Sequence, residues 1–556
     1  MPSPDSVVPH PTATHVKPTQ TSLRRHGWLL LPLVFSLYPV VAHLAANIGE
    51  VPPADAGRAL LASIILAYLL LGLLWLASGR DGDRAALAAV GILTVFFAYG
   101  HARLVTKGLV VAGVVVGRHR HLVPLSLSML AAWVWFVMRR LPEPYRLTTV
   151  FLAVGVVSLI APARGIISGH MVQALHPQQL RPYPAALDGT QSLTLQQPQD
   201  IYFIVLDGYA RADILEDVYA FDNSKFLDAL EARGFYIAAK SRSNYNSTAL
   251  SLSSTLNYEY IPDLLGRELT ASDRNLVAGL INHSRVRTQL EALGYQTVAF
   301  DSGFQPTLFQ DADRFIRFEE QGDRFTTQAL PFILNPFEGS LIGTTALQAL
   351  EEKVPGLSLR GFYEVNYEDH RRKVRGILNT LREIPTWDGE FFVVAHIISP
   401  HPPFVFAADG SPIAPDRPFS FADADNFLNM ATSEEYRQRY PEQLVYINGA
   451  ILETVDQILQ RSTVPPIIVI EGDHGARASM VFNSAEESDL RETFSNLNAY
   501  YLPEGGAEDL YPSITPVDTF RVILNRYFGT RLPLLPDRTF FYERPAIILT
   551  EVAGFE

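Results

Sequence analysis

Three short stretches of this chain carry side chains suited to metal chemistry. Asp207 ends the run IVLDG, His396 sits in VVAHIIS, and Asp473 and His474 are adjacent in IIVIEGDHG. Five histidines lie beyond Asp200, namely His283, His370, His396, His401 and His474, and three of the five fall at or just past the end of an apolar run. Two carboxylates and an imidazole brought to one edge can hold a divalent cation. Taken alone, Asp207 equally suits a strand-terminal turn, a reading less attractive for the Asp-His-Gly step; the two together weigh more than either. A further stretch, SNYNSTALSLSSTLN from Ser243 to Asn257, is rich in hydroxyls and amides. It reads as the start of a helix, with Asn246 or Ser247 as cap and Thr248 in the first turn. Free N–H groups and the positive end of the dipole make a cradle for a phosphoryl group there. A hydroxyl touching a cation can be deprotonated and attack phosphorus. The plain alternative is a capped helix without chemistry. Asn246-Ser247-Thr248 is also formally a glycosylation sequon.

These residues need a scaffold that brings them together. IYFIVLDGYAR is a continuous β-branched and aromatic run ending in Asp-Gly, which reads as a buried parallel strand. An amphipathic helix follows near Ser224 to Arg233, then GFYIAAKS. VRTQLEALGYQTVAFDS reads as helix, glycine stop and strand. FFVVAHIIS, VPPIIVIEGDHG, LNAYYLP and PAIILTE complete the series. Strands alternating with helices predict an open α/β sheet with right-handed crossovers. Sites in such sheets lie at the carboxyl ends of the strands, where Asp207, His396, Asp473 and His474 fall.

The first third has another texture. Trp28–Ile48, Ala59–Ser78, Ala85–Gly100, Leu122–Met138 and Leu147–Ala163 are apolar and free of formal charge. A bilayer span needs about 20 such residues, with about 17 at the lower end, so five crossings are expected. Leu109–Gly117 is too short to cross and stays unassigned. Lys17, Arg24 and Arg25 precede the first span, Arg80 and Arg84 follow the second, and Arg139, Arg140 and Arg146 follow the fourth. Placing them in the cytoplasm obeys the positive-inside rule and puts everything after the fifth span outside. Arg103, Lys107, Arg118 and Arg120, between spans three and four, oppose that arrangement. Apart from His43, which reads equally as an interfacial histidine, the spans lack an ionisable residue buried at mid-span, which argues against a transporter.

Composition sets outer bounds. Among 556 residues, 45 Lys and Arg against 58 Asp and Glu give a net charge of −13, which argues against a nucleic-acid partner. There is no cysteine, so disulfides, thiolate metal sites and a cysteine nucleophile are excluded. Charged residues are only 19% of the chain, consistent with part of it lying in lipid. The expected layout is a disordered tail over 1–26, a membrane domain over 27–163, a Gln- and Pro-rich linker over 164–198 and a catalytic domain over 199–556.

The order strand-Asp207, Thr248 about forty residues on, PHPPF, then strand-Asp473-His474-Gly475 resembles the alkaline phosphatase superfamily. Within it the chain is similar to the sulfatase-like branch that includes lipoteichoic acid synthases and phosphoethanolamine transferases. Those proteins also join about five N-terminal spans to an extracytoplasmic catalytic domain. The motifs cover roughly Gln199 to Leu535. The resemblance implies an α/β sandwich with a mostly parallel central sheet. It makes Asp207 the first metal ligand (a Glu in lipoteichoic acid synthase), Thr248 both nucleophile and ligand, and Asp473 and His474 the remaining ligands. Thr248-x-x-Ser251 matches the Cys-x-x-Ser spacing at sulfatase nucleophiles. His401, in HIISPHPPF, matches the histidine that contacts the substrate phosphate; His396 and Asn246 join it as expected substrate contacts, with a structural role for His396 left open. One divalent cation is implied, Mn²⁺ or Mg²⁺ favoured, with Zn²⁺ or Ca²⁺ as alternatives.

Sulfatases in this branch need a formylglycine made from Cys or, in some cases, Ser. A sulfo-threonine has no equivalent exit, whereas a phospho-threonine can be attacked from the opposite side by water or an alcohol. The expected protein is therefore a membrane-anchored hydrolase or transferase acting on a phosphodiester through Thr248. Its partners would be a membrane lipid and an envelope glycan or lipid acceptor, with no nucleic acid. Its catalytic domain would lie outside the cell membrane. A sulfuric ester hydrolase using Ser247 and a degenerate envelope scaffold are the rival expectations. The oligomeric state is open.

Overall fold

The structure, a computed structural model, describes residues 20–47, 53–106, 109–111, 114–175, 198–269, 273–318, 334–349, 360–413, 419, 432–543 and 548–555. It divides into two compact units. The first comprises Met1–His43, Gly57–Ala163 and Thr344–Ala349. The second takes in Leu44–Ala56, Arg164–Gly343 and Leu350–Glu556.

Five long helices dominate the N-terminal third: α1 (Gln20–Ala46), α2 (Ala56–Ala77), α3 (Gly82–Thr106), α4 (His119–Arg139) and α5 (Pro144–Leu175). Each contains a stretch long and apolar enough to cross a membrane, and each helix takes in one of the five apolar runs, the first two of which end just past their helices. Leu61, Leu69, Leu73 and Leu76 on α2 are each at least 60% exposed. Such a leucine face suits lipid rather than water. The unassigned stretch after α3 contains a two-stranded antiparallel ribbon, β1 (Val110–Val111) with β2 (Val114–Val115).

Two helices run past the expected segment ends. Helix α1 begins at Gln20, so the last residues of the expected tail are helical, and 1–19 lie outside the described residues. Helix α5 continues through Arg164 to Leu175, twelve residues into the expected linker. The sequence there, RGIISGHMVQAL, has no proline before Pro177, and the residue before a proline disfavours the α conformation. Residues 176–197 of that linker lie outside the described residues.

The second unit is built on a seven-stranded sheet in the order β4-β9-β8-β3-β7-β5-β6. The strands are β3 (Ile201–Leu206), β4 (Tyr236–Ile237), β5 (Gln296–Phe300), β6 (Arg314–Ile316), β7 (Phe391–Ile397), β8 (Ile467–Glu471) and β9 (Asn498–Tyr501). β8, β3, β7, β5 and β6 run parallel; β9 runs antiparallel to β8, and the edge strand β4 pairs antiparallel with β9 and so follows the direction of the other five. The last predicted strand does not join this sheet: β11 (Ile548–Val552) pairs with β10 (Thr539–Glu543) as a separate antiparallel hairpin. Ile548, Thr550 and Glu551 are exposed, a pattern unsuited to a sheet buried on both faces.

Side chains alternate across the central strands, and each face has its own core. Tyr202, Ile204, Leu206, Val393, Ala395, Ile468 and Ile470 enter one cluster. Ile201, Phe203, Val205, Phe392, Val394, Ile467 and Val469 enter the other. Register then fixes where polar residues emerge. Val205 pairs with His396 on one side and Glu471 on the other. Cα partners in a parallel ladder share a face, and so do residues two apart along a strand. His396, Asp207, Glu471 and Asp473 therefore all belong to the face covered by Thr248–Asn257 and Thr519–Phe528.

Candidate active site

Asp207, His396, Asp473 and His474 meet at the carboxyl ends of the three central strands, and loops bring Thr248 and His401 to them. His474 Nε2 lies 3.3 Å from Asp207 Oδ1, 3.5 Å from Asp473 Oδ2 and 3.5 Å from Thr248 Oγ1. His401 Nε2 lies 3.8 Å from Asp207 Oδ1. Asp207, His401 and His474 each offer a ligand atom, all within 4.8 Å of one another. All six of these side chains are buried.

Local geometry makes these approaches feasible. Gly208 has φ +70°, and a Cβ there would come within 3.4 Å of His474 Cε1, so glycine suits both the turn and the packing. Gly475 leaves no room at all, since a Cβ would lie 2.1 Å from the Glu492 carbonyl oxygen. The Asp473 carboxylate accepts the Gly208 N–H at 2.9 Å through Oδ1, which ties the two strand ends together. Buried Glu492 accepts N–H bonds from Ala478 and Ser479 and holds the following loop.

The hydrogen bonds leave the cluster rich in lone pairs. His474 Nδ1 donates to the Gly475 carbonyl at 2.7 Å, and His401 Nδ1 donates to the Pro402 carbonyl. That assignment leaves each neutral ring with an unprotonated Nε2. Both bare nitrogens face Asp207 Oδ1, and this oxygen and Asp473 Oδ2 have no hydrogen-bond partner. Lone pairs that converge without a hydrogen between them repel, and a cation placed among them removes the repulsion. The donor set of carboxylate oxygens, imidazole nitrogens and a hydroxyl therefore fits a divalent metal ion.

Electrostatics agree. Burial lowers the His401 pKa and outweighs the opposing effect of Asp207, with the Arg477 charge adding to the depression. The ring is thus neutral near pH 7, the form that ligates metals. Burial works against ionisation of Asp207, but the surrounding imidazoles of His401, His396 and His474 hold its carboxyl well below the usual range.

Two expected substrate contacts are placed elsewhere. His396 Nε2 donates to Asp207 Oδ2 at 3.1 Å, and its Nδ1 lies 2.9 Å from the Thr307 hydroxyl. It therefore stands behind Asp207 and orients it, as outer partners of ligands do. Asn246 Oδ1 accepts the Tyr542 N–H at 2.8 Å and its Nδ2 donates to the Tyr542 carbonyl at 3.3 Å. Its amide mimics a strand partner for β10. Thr248 opens the helix Thr248–Asn257 with Ser247 at the cap position, although the Ser247 side chain makes no capping bond. His401, expected at the substrate, stands among the potential ligands.

Sequence reasoning passed over three residues. Arg477, three positions after His474, donates to the Asn246 carbonyl and so ties the metal loop to the start of the Thr248 helix. The spacing GDHGAR could have flagged it. Thr307 and Gln443 carry no local signal, because their roles depend on chain segments remote in sequence.

Fold and site together define a two-part protein: five apolar helices, then an α/β unit with a cation-ready cluster at its central strand ends. No protein-family model matches the sequence, and no curated protein matches it. Among solved structures, the chain is similar to the C-terminal periplasmic domain of EcEptC from Escherichia coli in complex with Zn. That likeness has 11% identity and a TM-score of 0.38, covering 65% of this chain and 95% of that one. It is also similar to the integral membrane protein lipooligosaccharide phosphoethanolamine transferase A from Neisseria meningitidis, at 12% identity and a TM-score of 0.38, covering 89% and 95%. A third similar structure is the phosphonate monoester hydrolase of Agrobacterium radiobacter, at 12% identity and a TM-score of 0.36, covering 62% and 80%.

Proposed function

We propose that the second unit is a divalent-cation-dependent enzyme acting on a phosphodiester, with Thr248 as its nucleophile. The observation that carries this is the convergence of unprotonated donors from Asp207, Asp473, His401 and His474 beside the Thr248 hydroxyl. A bound divalent cation supplies Lewis acidity, which lowers the pKa of a neighbouring hydroxyl and offsets phosphoryl charge.

The chain's own residues account for the rest. Thr248 Oγ forms a bond to phosphorus as the bond to the leaving alcohol breaks, and the alcohol departs with the electron pair and takes up a proton. The first N–H groups of the helix Thr248–Asn257 face the phosphoryl oxygens. Water or an acceptor alcohol then attacks phosphorus from the opposite side and releases Thr248. His396 and Gly208 hold the Asp207 and Asp473 carboxylates throughout.

The five apolar helices support a membrane-anchored enzyme whose donor is a membrane lipid and whose acceptor is an envelope glycan or lipid. In this reading the second unit lies outside the cell membrane. The test is to incubate the full-length protein with bis(p-nitrophenyl) phosphate and, separately, p-nitrophenyl sulfate, then map adducts by peptide mass. A phosphoryl adduct on Thr248, absent in Thr248→Ala, is expected. Sulfate-ester turnover with an aldehyde at Ser247 would replace this reading with the sulfatase one.

A further inference from the structure

The loop that carries His401 is short of hydrogen-bond donors. It leaves β7 as Ser399-Pro400-His401-Pro402-Pro403-Phe404, and its three prolines contribute no N–H. The segment is nevertheless buried, so its carbonyls need partners. The His401 N–H reaches the Asp207 carbonyl at 3.0 Å. Much of the remaining demand falls on one side chain, Gln443, from the long helix Ser433–Arg461.

Gln443 is fully buried. Its Oε1 accepts the N–H groups of Val405 at 2.7 Å and Phe406 at 3.2 Å. Its Nε2 donates to the carbonyls of Pro400 at 3.1 Å and His401 at 3.3 Å. One amide thus engages the backbone on both sides of the proline turn. On the same helix face, Tyr440 donates its hydroxyl to the Gly208 carbonyl at 2.7 Å and accepts the Ala210 N–H at 2.9 Å. The two residues are three apart and so stack on one face. A single rigid helix therefore clamps the loop after Asp207 and the loop bearing His401.

We propose that Gln443 is a positioning residue of the candidate metal centre: it holds the His401 loop so that Nε2 stays within ligand range of Asp207 and His474. This rests on the metal-centre reading. Gln443 touches neither cation nor substrate; its effect passes through the backbone of His401.

The experiment is titration of the metal-stripped full-length protein with Mn²⁺ by calorimetry. Gln443→Leu, which removes all four bonds, should raise the dissociation constant at least about tenfold, the range set by losing partners behind a ligand. Gln443→Glu keeps the two acceptor bonds, should weaken binding less, and carries the test if the leucine variant does not fold. In a His401→Ala background, Gln443→Leu should add less than about a twofold effect, because residues acting through one group are not additive. Thr454 lies on the same helix as Gln443 and accepts a bond from Arg382, which follows a different helix; Thr454→Ala should lower thermal stability and leave Mn²⁺ affinity unchanged. If the unaltered protein does not bind Mn²⁺, the metal-centre reading falls and this proposal with it. If it binds and the Gln443 variants match it, or if Gln443→Leu weakens binding equally without His401, this proposal alone is wrong.

Discussion

His474 Nε2 stands 3.3 Å from Asp207 Oδ1, though the two residues leave different strands. Their meeting follows from register. β3 and β8 are neighbours, Val205 pairs with Glu471, and both strands run on two residues to an aspartate. Asp207 and Asp473 thus arrive side by side, and His474 lies between their free oxygens.

Asp473→Ala removes an oxygen with no other partner and also frees the Gly208 N–H. Bound divalent cation per chain should fall well below that of the unaltered protein, and turnover should drop by several orders of magnitude. Elemental analysis of the purified protein, with circular dichroism to confirm folding, checks both. Full metal content in a folded Asp473→Ala protein would exclude Asp473 as a ligand.

Asn246→Ala should act on stability rather than on substrate affinity. It leaves the backbone N–H and carbonyl of Tyr542 without the amide that now pairs them. A loss of about 1–3 kcal/mol is expected for removing the two buried hydrogen bonds. Thermal unfolding measures it. A raised KM with unchanged unfolding temperature would return Asn246 to the substrate.

His370 gives the second unit a pH dependence. Burial, helped by the Lys373 charge, lowers its pKa to about 3, below the ordinary 6.5. The unfolded chain then binds the extra proton first as pH falls. The stabilisation is complete above about pH 6.5 and declines towards pH 3, by up to about 1.4 kcal/mol per pH unit. His370→Gln retains a donor for the Ile398 carbonyl and should flatten the decline in unfolding temperature between about pH 6 and pH 4. An identical profile in the variant would show that another group controls acid sensitivity.

Sidedness is testable with reporters. The basic residues flanking the spans predict cytoplasmic behaviour for a fusion near Gly82 and extracytoplasmic behaviour for one after Gly189. Cytoplasmic behaviour at Gly189 would overturn the five-crossing arrangement.

Much of this protein is legible in one dimension because the signals are local. Twenty apolar residues in a row have few alternatives to a span, and a β-branched run ending in Asp-Gly marks a buried strand and its turn. The carboxyl-end rule then picks out Asp207, His396, Asp473 and His474 without knowledge of strand order. Which of them meet, and through which atoms, depends on pairing between distant segments. Alternation puts His396 and Asp207 each on one face of its own strand, but only the β3–β7 register puts both on the same face and sets His396 behind the carboxylate. Asn246 reads as a helix cap until β10, nearly three hundred residues later, takes both ends of its amide. Gln443 has no motif at all, because its significance lies in a proline loop that cannot satisfy its own backbone. The sequence by itself determined the spans, the strand ends and the residue types that can hold a cation. The tertiary structure decided their division of labour, because hydrogen-bond partners and lone-pair directions depend on packing between segments that local propensity does not encode.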